Sequence, residues 1–279
     1  MIGFNALGQL GRLGNQMFQF AALKGIARNR GYEYAIPPSN QPEEWNTVDE
    51  YYHAIGNNQA GHHLFDPFTL GATSELNIQY IDPDRPVMPE GQFHFNENLF
   101  NNCPDWVDIR GFFQSEKYFK HIKDEIKKDF TFKPEILEPC KEMMSEFDAP
   151  PISLHVRRTD YITNPNHSAL ESDYYLESLA RMPEDKEVLV FTDDPEWCKE
   201  QEMFAGDRFM IGEQNSGYVD MCLMTLCKYH IIANSSFSWW GAWLSDSEKV
   251  IRPREWFKGT DNEYLMTKDL IQVEGWETY

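Results

Sequence analysis

Ile152-Ser153-Leu154-His155-Val156-Arg157-Arg158-Thr159-Asp160 opens as an apolar run and closes on two adjacent arginines and an acid. The alternation over Ile152–Val156 predicts a strand. Helical spacing over Asp173–Met182 follows, then a compact β-rich run at Glu187–Phe191. Asp193-Asp194-Pro195 reads as a helix start, because proline suits the first helical turn behind an acidic cap. Beyond it the pattern predicts a short strand near Arg208–Ile211, a helix over Val219–Lys228 and a strand over Tyr229–Ala233. An aromatic helix over Phe237–Leu244 and a last short strand at Val250-Ile251 complete the half. Strands that alternate with helices imply an α/β protein with a mostly parallel sheet and right-handed crossovers. Ligands of such sheets bind beyond the carboxyl ends of the strands. Three of those ends are polar here: His155 to Asp160, Phe191 to Asp194, and Ala233 to Ser236. A parallel arrangement brings all three to one edge.

The first half is less regular. Met1–Leu7 suggests a strand, Gly8–Gly14 a glycine-punctuated loop, and Asn15–Arg30 a helix with an apolar face of Met17, Phe18, Phe20, Ala21 and Leu23. Tyr32–Ile36 and Ile109–Phe113 read as strands and Ser115–Phe130 as a helix. The region 37–104 is rich in Asn, Pro, Gly, His and aromatics and reads as loops and short elements, a substrate-facing surface. Asp148-Ala149-Pro150-Pro151 is the expected linker, giving domains at 1–149 and 150–279, with the C-terminal tail free to pack back on the first half.

Composition narrows the function. The 279 residues carry 25 Lys and Arg against 45 Asp and Glu, a net charge of −20. That balance argues against a nucleic-acid groove and against adhesion to anionic lipid. Five scattered cysteines without metal-like pairing fit a reducing compartment. No signal peptide and no membrane-length apolar run are visible, so the expected location is the cytoplasm.

In so acidic a chain, Arg157-Arg158 suggests a pocket for an anion, since the arginine fork is always charged and matches phosphate geometry. In a strand His155 and Arg157 share one face, and Arg158 joins them only if the chain turns. The alternative is that both arginines pair with nearby carboxylates. Of Asp193 and Asp194, one can cap the helix begun by Pro195 while the other meets a guanine edge. Asn234, Ser235, Ser236 and Phe237 precede a helix, where hydroxyls and free amides suit a phosphate and a serine also serves as a cap. Trp239, Trp240 and Trp243 are spaced as helix core. The glycines before Asn15 admit close approach of an anion or a sugar, or simply make a tight turn. Asp82-Pro83-Asp84 matches a metal-holding D-x-D pattern but reads better as a surface turn. His62-His63 with Asp66 lacks a further zinc ligand. No metal is expected.

Taken together, these motifs resemble the inverting α-1,2-fucosyltransferases of the bacterial type. Leu13-Gly14-Asn15-Gln16-Met17-Phe18-Gln19-Phe20 is similar to that family's opening loop and helix, and Gly111-Phe112-Phe113-Gln114-Ser115-Glu116-Lys117-Tyr118-Phe119 to its middle motif. His155 to Asp160 resembles the H-x-R-R-x-D motif shared with α-1,6- and O-fucosyltransferases, and Cys227 to Leu244 resembles the C-terminal block. The resemblance implies a GT-B-like fold of two Rossmann-type halves facing a cleft, an acceptor side at 1–149, a GDP-fucose-binding side at 150–279, and no metal or other cofactor. It assigns the β-phosphate to Arg157, with Arg158 supporting it or shaping the loop. It gives guanine and ribose to His155 and Asp193 or Asp194, and the diphosphate and base pocket to Ser235, Ser236 and Phe237 beside Asn234. Gly14, Asn15 and Gln16 would approach from the other half; Arg12, where the family has glycine, puts a third cation or a changed loop there. Asp160 is the nominee for general base, with buttressing of the arginines as its other reading.

The implied reaction moves L-fucose from GDP-fucose to the 2-hydroxyl of a terminal galactose on an oligosaccharide. The alternatives are another linkage, a protein acceptor, or a non-catalytic nucleotide-sugar or glycan-binding protein. Bacterial relatives that build cell-surface polysaccharide leave room for peripheral association with the inner membrane. Nothing in the sequence fixes the oligomeric state.

Overall fold

Ile2–Gly3 (β1), Tyr34–Ala35 (β2), Val87–Pro89 (β3) and Asp108–Arg110 (β4) build the first of two sheets in the computed structural model, which describes residues 1–39, 63–164, 166–212, 215–258 and 271–279. Their spatial order is β2-β1-β4-β3 and every pairing is parallel. The long helix Leu13–Arg30 (α1) is buried on nearly all sides, and Gly31 ends it in the left-handed conformation (φ 69°) that glycine adopts without strain. Its buried Lys24 is neutralised by Asp129 at 2.6 Å and donates to the Ala72 carbonyl. Gly25 lets α1 approach closely: a Cβ there would stand 2.0 Å from the Tyr118 carbonyl oxygen. Glu97–Asn102 (α2) and Lys123–Asp129 (α3) are the other α-helices described in this unit.

The single helix expected over Ser115–Phe130 is not formed. Glu116–Tyr118 and Lys120–Ile122 are separate 3₁₀ turns, and only Lys123–Asp129 is α-helical. Phe119 takes an extended φ of −138° between the turns while its ring is fully buried, so core packing overrides helical spacing.

The second unit contains the helix Pro134–Met144 (α4), β5 at Ile152–Val156, the helix Ser172–Leu179 (α5) and β6 at Val188–Thr192. Pro195–Glu200 (α6), β7 at Phe209–Ile211, Gly217–Leu226 (α7), β8 at Tyr229–Ile231, Ser236–Leu244 (α8), β9 at Lys249–Arg252 and β10 at Glu277–Thr278 follow. All the strand pairings are parallel, in the order β7-β6-β5-β8-β9-β10. Counted from β5 this is 3-2-1-4-5-6, the order of a Rossmann sheet, with its switch point between β5 and β8. Every residue of β5 is buried, as a central parallel strand covered on both faces requires. Trp239, Trp240 and Trp243 pack as core.

The units are Met1–Phe132 with Asp269–Gln272, and Lys133–Lys268 with Val273–Tyr279. The division thus precedes α4 instead of falling in the proline-rich 148–151 segment. The reason is local: α4 packs on α7, and the Cys140 thiol reaches the Val219 carbonyl at 3.8 Å. All five cysteines are free and buried. No described helix is long and apolar enough to cross a membrane.

Candidate functional site

At the switch point of the second sheet, β5 runs out at Val156 and β8 at Ile231, so the loops that begin at Arg157 and Ile232 leave from adjacent strands. β6 ends beside them, with Thr192 in register with Val156. The ends of these three strands, with the loops and the helix start that follow them, carry ten of the residues singled out from the sequence.

Arg157 is mostly buried, with 18% of its side chain exposed, and lies between two carboxylates. Its Nη2 meets Asp160 at 2.7 Å and its Nη1 meets Asp193 at 3.2 Å. The Arg157 guanidinium also sits 5.5 Å from the centre of the Tyr161 ring. Arg158 turns toward β6, its Nε 3.3 Å from Asp194 and its guanidinium 4.0 Å from the centre of the Trp197 ring. The two arginine side chains therefore have different partners.

Asp194 caps α6 by accepting the Trp197 amide at 3.2 Å. Asp193 is not left over. It accepts the Arg158 amide at 2.8 Å and the Thr159 hydroxyl, and pairs with Arg157. Burial pushes its pKa up, but the Thr159 hydroxyl, Arg157 and the Arg158 amide outweigh that and hold it below the ordinary carboxylate value.

His155 is 5% exposed, its Nδ1 2.8 Å from the Ser238 hydroxyl and its ring 5.7 Å from that of Phe237. Burial, with the charge of Arg157, pushes its pKa down to about 3, so it is neutral at ordinary pH. Ser235 is the extended cap of α8, accepting the Phe237 amide at 3.4 Å. Ser236 and Phe237 are half-buried at the helix start, where the helix dipole favours an anion. Asn234 is buried, and its side-chain amide donates to the carbonyls of Ser168 and Trp256. Tyr161 donates its hydroxyl to the Asn234 carbonyl at 3.1 Å, tying the β5 and β8 loops together.

Gly14, Asn15 and Gln16 stand in the first unit, in the first turn of α1, whose start at Leu13 precedes the one expected at Asn15. Gln16 donates to the Gly11 carbonyl at 3.0 Å and accepts the His63 amide at 2.8 Å. Asn15 accepts from Gln114 at 2.7 Å, and Arg12 is exposed at the start of α1. Gly11 has φ +75°, and a Cβ on it would lie 2.2 Å from the Asn15 amide nitrogen. The first unit also holds a buried carboxyl. Glu90, just past β3, accepts the amides of Phe112 and Phe113 and the Tyr118 hydroxyl. Burial raises its pKa to about 8 against the pull of those three donors.

Asp82-Pro83-Asp84 is an exposed turn in which Asp82 accepts the Asp84 amide at 2.9 Å. His63 pairs with Asp66 at 3.7 Å, while His62 lies outside the described residues. Among the described residues no three His, Cys, Asp or Glu side chains gather as a metal site. The sequence reading does not single out Tyr161, Trp197, His167 or Glu90. The signal for the first two is their place: Tyr161 directly follows the arginine motif, and Trp197 follows the cap Asp194 by three residues.

Comparison with known proteins adds to this geometry. The family model described as glycosyl transferase family 11 matches residues 95–277. An alpha-1,2-colitosyltransferase of Escherichia coli is 32% identical over 89% of this chain and 90% of its own length. The O-antigen biosynthesis glycosyltransferase WbnK of Escherichia coli is 30% identical over 94% of this chain and 98% of its own. Human galactoside alpha-(1,2)-fucosyltransferase 1 is 25% identical over 91% of this chain and 68% of its own. Among solved structures, POFUT1 in complex with GDP superposes with a TM-score of 0.53 at 14% identity, covering 88% of this chain and 94% of that one. Fucosyltransferase NodZ from Bradyrhizobium gives 0.51 at 14%, covering 88% and 92%. At such identities these two likenesses speak for the fold alone.

Proposed function

The chain belongs to glycosyl transferase family 11, and from that premise we propose that it transfers L-fucose from GDP-fucose to the 2-hydroxyl of a terminal galactose, with inversion. The observation that carries this reading is Arg157 at the switch point of a 3-2-1-4-5-6 sheet, at the end of β5 next to β8, whose loop leads into α8 and is tied to the β5 loop by Tyr161. The bond between the anomeric carbon and the β-phosphate oxygen breaks, and its electron pair stays on GDP. Arg157 and the α8 amides stabilise that developing charge more in the transition state than in the ground state. The acceptor oxygen forms the new bond from the opposite face, and its proton passes to solvent water as the bond forms. Asp160 is occupied with Arg157, which favours its buttressing reading; leaving-group stabilisation then carries most of the catalysis.

His155, buried and neutral against Ser238, shapes the floor under Phe237. The arginines take the neutralising role that a divalent cation serves in other transferases, so transfer proceeds without metal and persists in chelator. Loss of activity in chelator, restored by Mn²⁺, overturns that part.

A second donor is favoured by one observation: a relative at 32% identity is named a colitosyltransferase. Colitose is the 3-deoxy counterpart of fucose, so the two donors share the GDP contacts. The deciding experiment presents both GDP-sugars with acceptors ending in galactose and determines the product linkage by NMR. An α-1,2-fucosyl product supports the proposal. Preference for GDP-colitose replaces the donor, and a different linkage or no transfer overturns the reading.

A further inference from the structure

Behind Arg157 lies a stack of rings that the reaction as described does not use. The Tyr161 ring, 5.5 Å from the Arg157 guanidinium, is stacked nearly flat on the His167 imidazole, centroids 4.5 Å apart and planes at 16°. His167 in turn packs on Phe257, with centroids 5.0 Å apart. The backbone fixes this histidine closely. Asn164 accepts the amides of Asn166 and His167 at 2.8 and 3.2 Å, and the Lys258 amide donates to the Asn166 carbonyl at 2.8 Å. Tyr161 is held at its far end by its hydroxyl on Asn234 and at its backbone by the Arg158 carbonyl at 2.8 Å.

We propose that His167 is a positioning residue for Arg157, a rigid plate that keeps the Tyr161 ring against the guanidinium. The inference rests on the donor reading above, in which Arg157 faces the leaving diphosphate. Two carboxylates alone let a guanidinium swing between them, whereas an aromatic face adds attraction from a third direction and narrows its range. That face is useful only while the ring cannot rotate away, and a flat neighbour 4.5 Å off prevents rotation. The imidazole serves as a neutral plate: burial lowers its pKa, and so does the Arg157 charge, while the Trp256 carbonyl and Asp160 oppose them. A displaced Arg157 loses contacts made in the transition state, so the expected defect lies in kcat.

The test uses the full chain, GDP-fucose and a galactoside acceptor. His167→Ala is expected to lower kcat about tenfold, with KM for GDP-fucose changed by no more than about twofold. His167→Phe, which keeps the flat face, is expected to retain kcat near the wild-type value. In an Arg157→Lys background His167→Ala is expected to add no further loss, since the two act as one unit. Should His167→Ala not fold, as judged by its thermal midpoint, His167→Gln replaces it with the same expected result. Equal losses in both backgrounds, a Phe variant as poor as the Ala variant, or a change confined to KM overturns the role. A wild-type chain that turns over GDP-fucose while the variants fail this pattern overturns the role alone. A wild-type chain that does not use GDP-fucose overturns the donor reading, and the role falls with it.

Discussion

The backbone amide of Arg158 donates to the Asp193 carboxylate at 2.8 Å, so the ends of two neighbouring parallel strands share one acid. Asp193 also accepts from Thr159 and pairs with Arg157, which makes it the hub of the arginine loop. Asp193→Ala removes all of these partners at once. It is expected to lower turnover about tenfold or more, because charge-assisted contacts are each worth about 1.5–3 kcal/mol. Steady-state rates of a variant shown by circular dichroism to be folded check this; wild-type turnover refutes it.

Arg157→Ala should be more severe. Removing one donor aimed at transition-state charge costs about 2.7–4 kcal/mol, a loss of at least about a hundredfold in kcat. Near-normal kcat in a folded variant removes Arg157 from the chemistry.

The first unit offers a stability test. A Cβ on Gly25 would stand 2.0 Å from the Tyr118 carbonyl oxygen, and one on Gly111 would lie 2.5 Å from the Glu90 Cβ. The first neighbour is backbone and cannot yield by rotating a side chain. Gly25→Ala is therefore expected to destabilise by about 3 kcal/mol or more, and Gly111→Ala by about 1–3 kcal/mol. Denaturant unfolding measures both, and equal stability to wild type in Gly25→Ala contradicts the close approach.

Glu90 gives a pH signature. Its folded pKa, about 8, lies above its ordinary value of 4.5. The unfolded chain therefore ionises first, so stability from this group is full in acid and is lost as pH rises toward about 8. The thermal midpoint of the wild type minus that of Glu90→Gln is expected to fall between about pH 5 and pH 8. A difference that stays constant across that range counts against a buried protonated carboxyl.

Much of the second unit was legible because its strands are short apolar runs closed by polar ends. The strand at Ile152–Val156 is found where alternation puts it, and of the two aspartates before Pro195 it is Asp194 that caps the helix. The first unit was less so. Val87–Pro89 is a strand of largely exposed residues ending in proline, so neither burial pattern nor propensity marks it. Phe119 shows the opposite failure, an apolar residue at helical spacing whose ring is claimed by the core. In the site, the arginines were readable as chemistry, but the partners that hold them were not. Asp193 is a long way from Arg157 in sequence, and only the neighbouring of β5 and β6 makes them a pair.

The pairing of Arg157 with Asp160 and Asp193 bears on how a donor arrives. Each arginine charge is already matched by a neighbouring carboxylate, and the chain as a whole carries a net charge of −20. On the proposed donor reading, an anionic nucleotide that comes within about a Debye length of the surface meets a net repulsive field, not a steering one. Capture is then a short-range exchange of partners, in which phosphate oxygens replace carboxylate oxygens on a guanidinium already in position. Added salt, which slows the association of most oppositely charged pairs, here screens a repulsion and quickens the encounter.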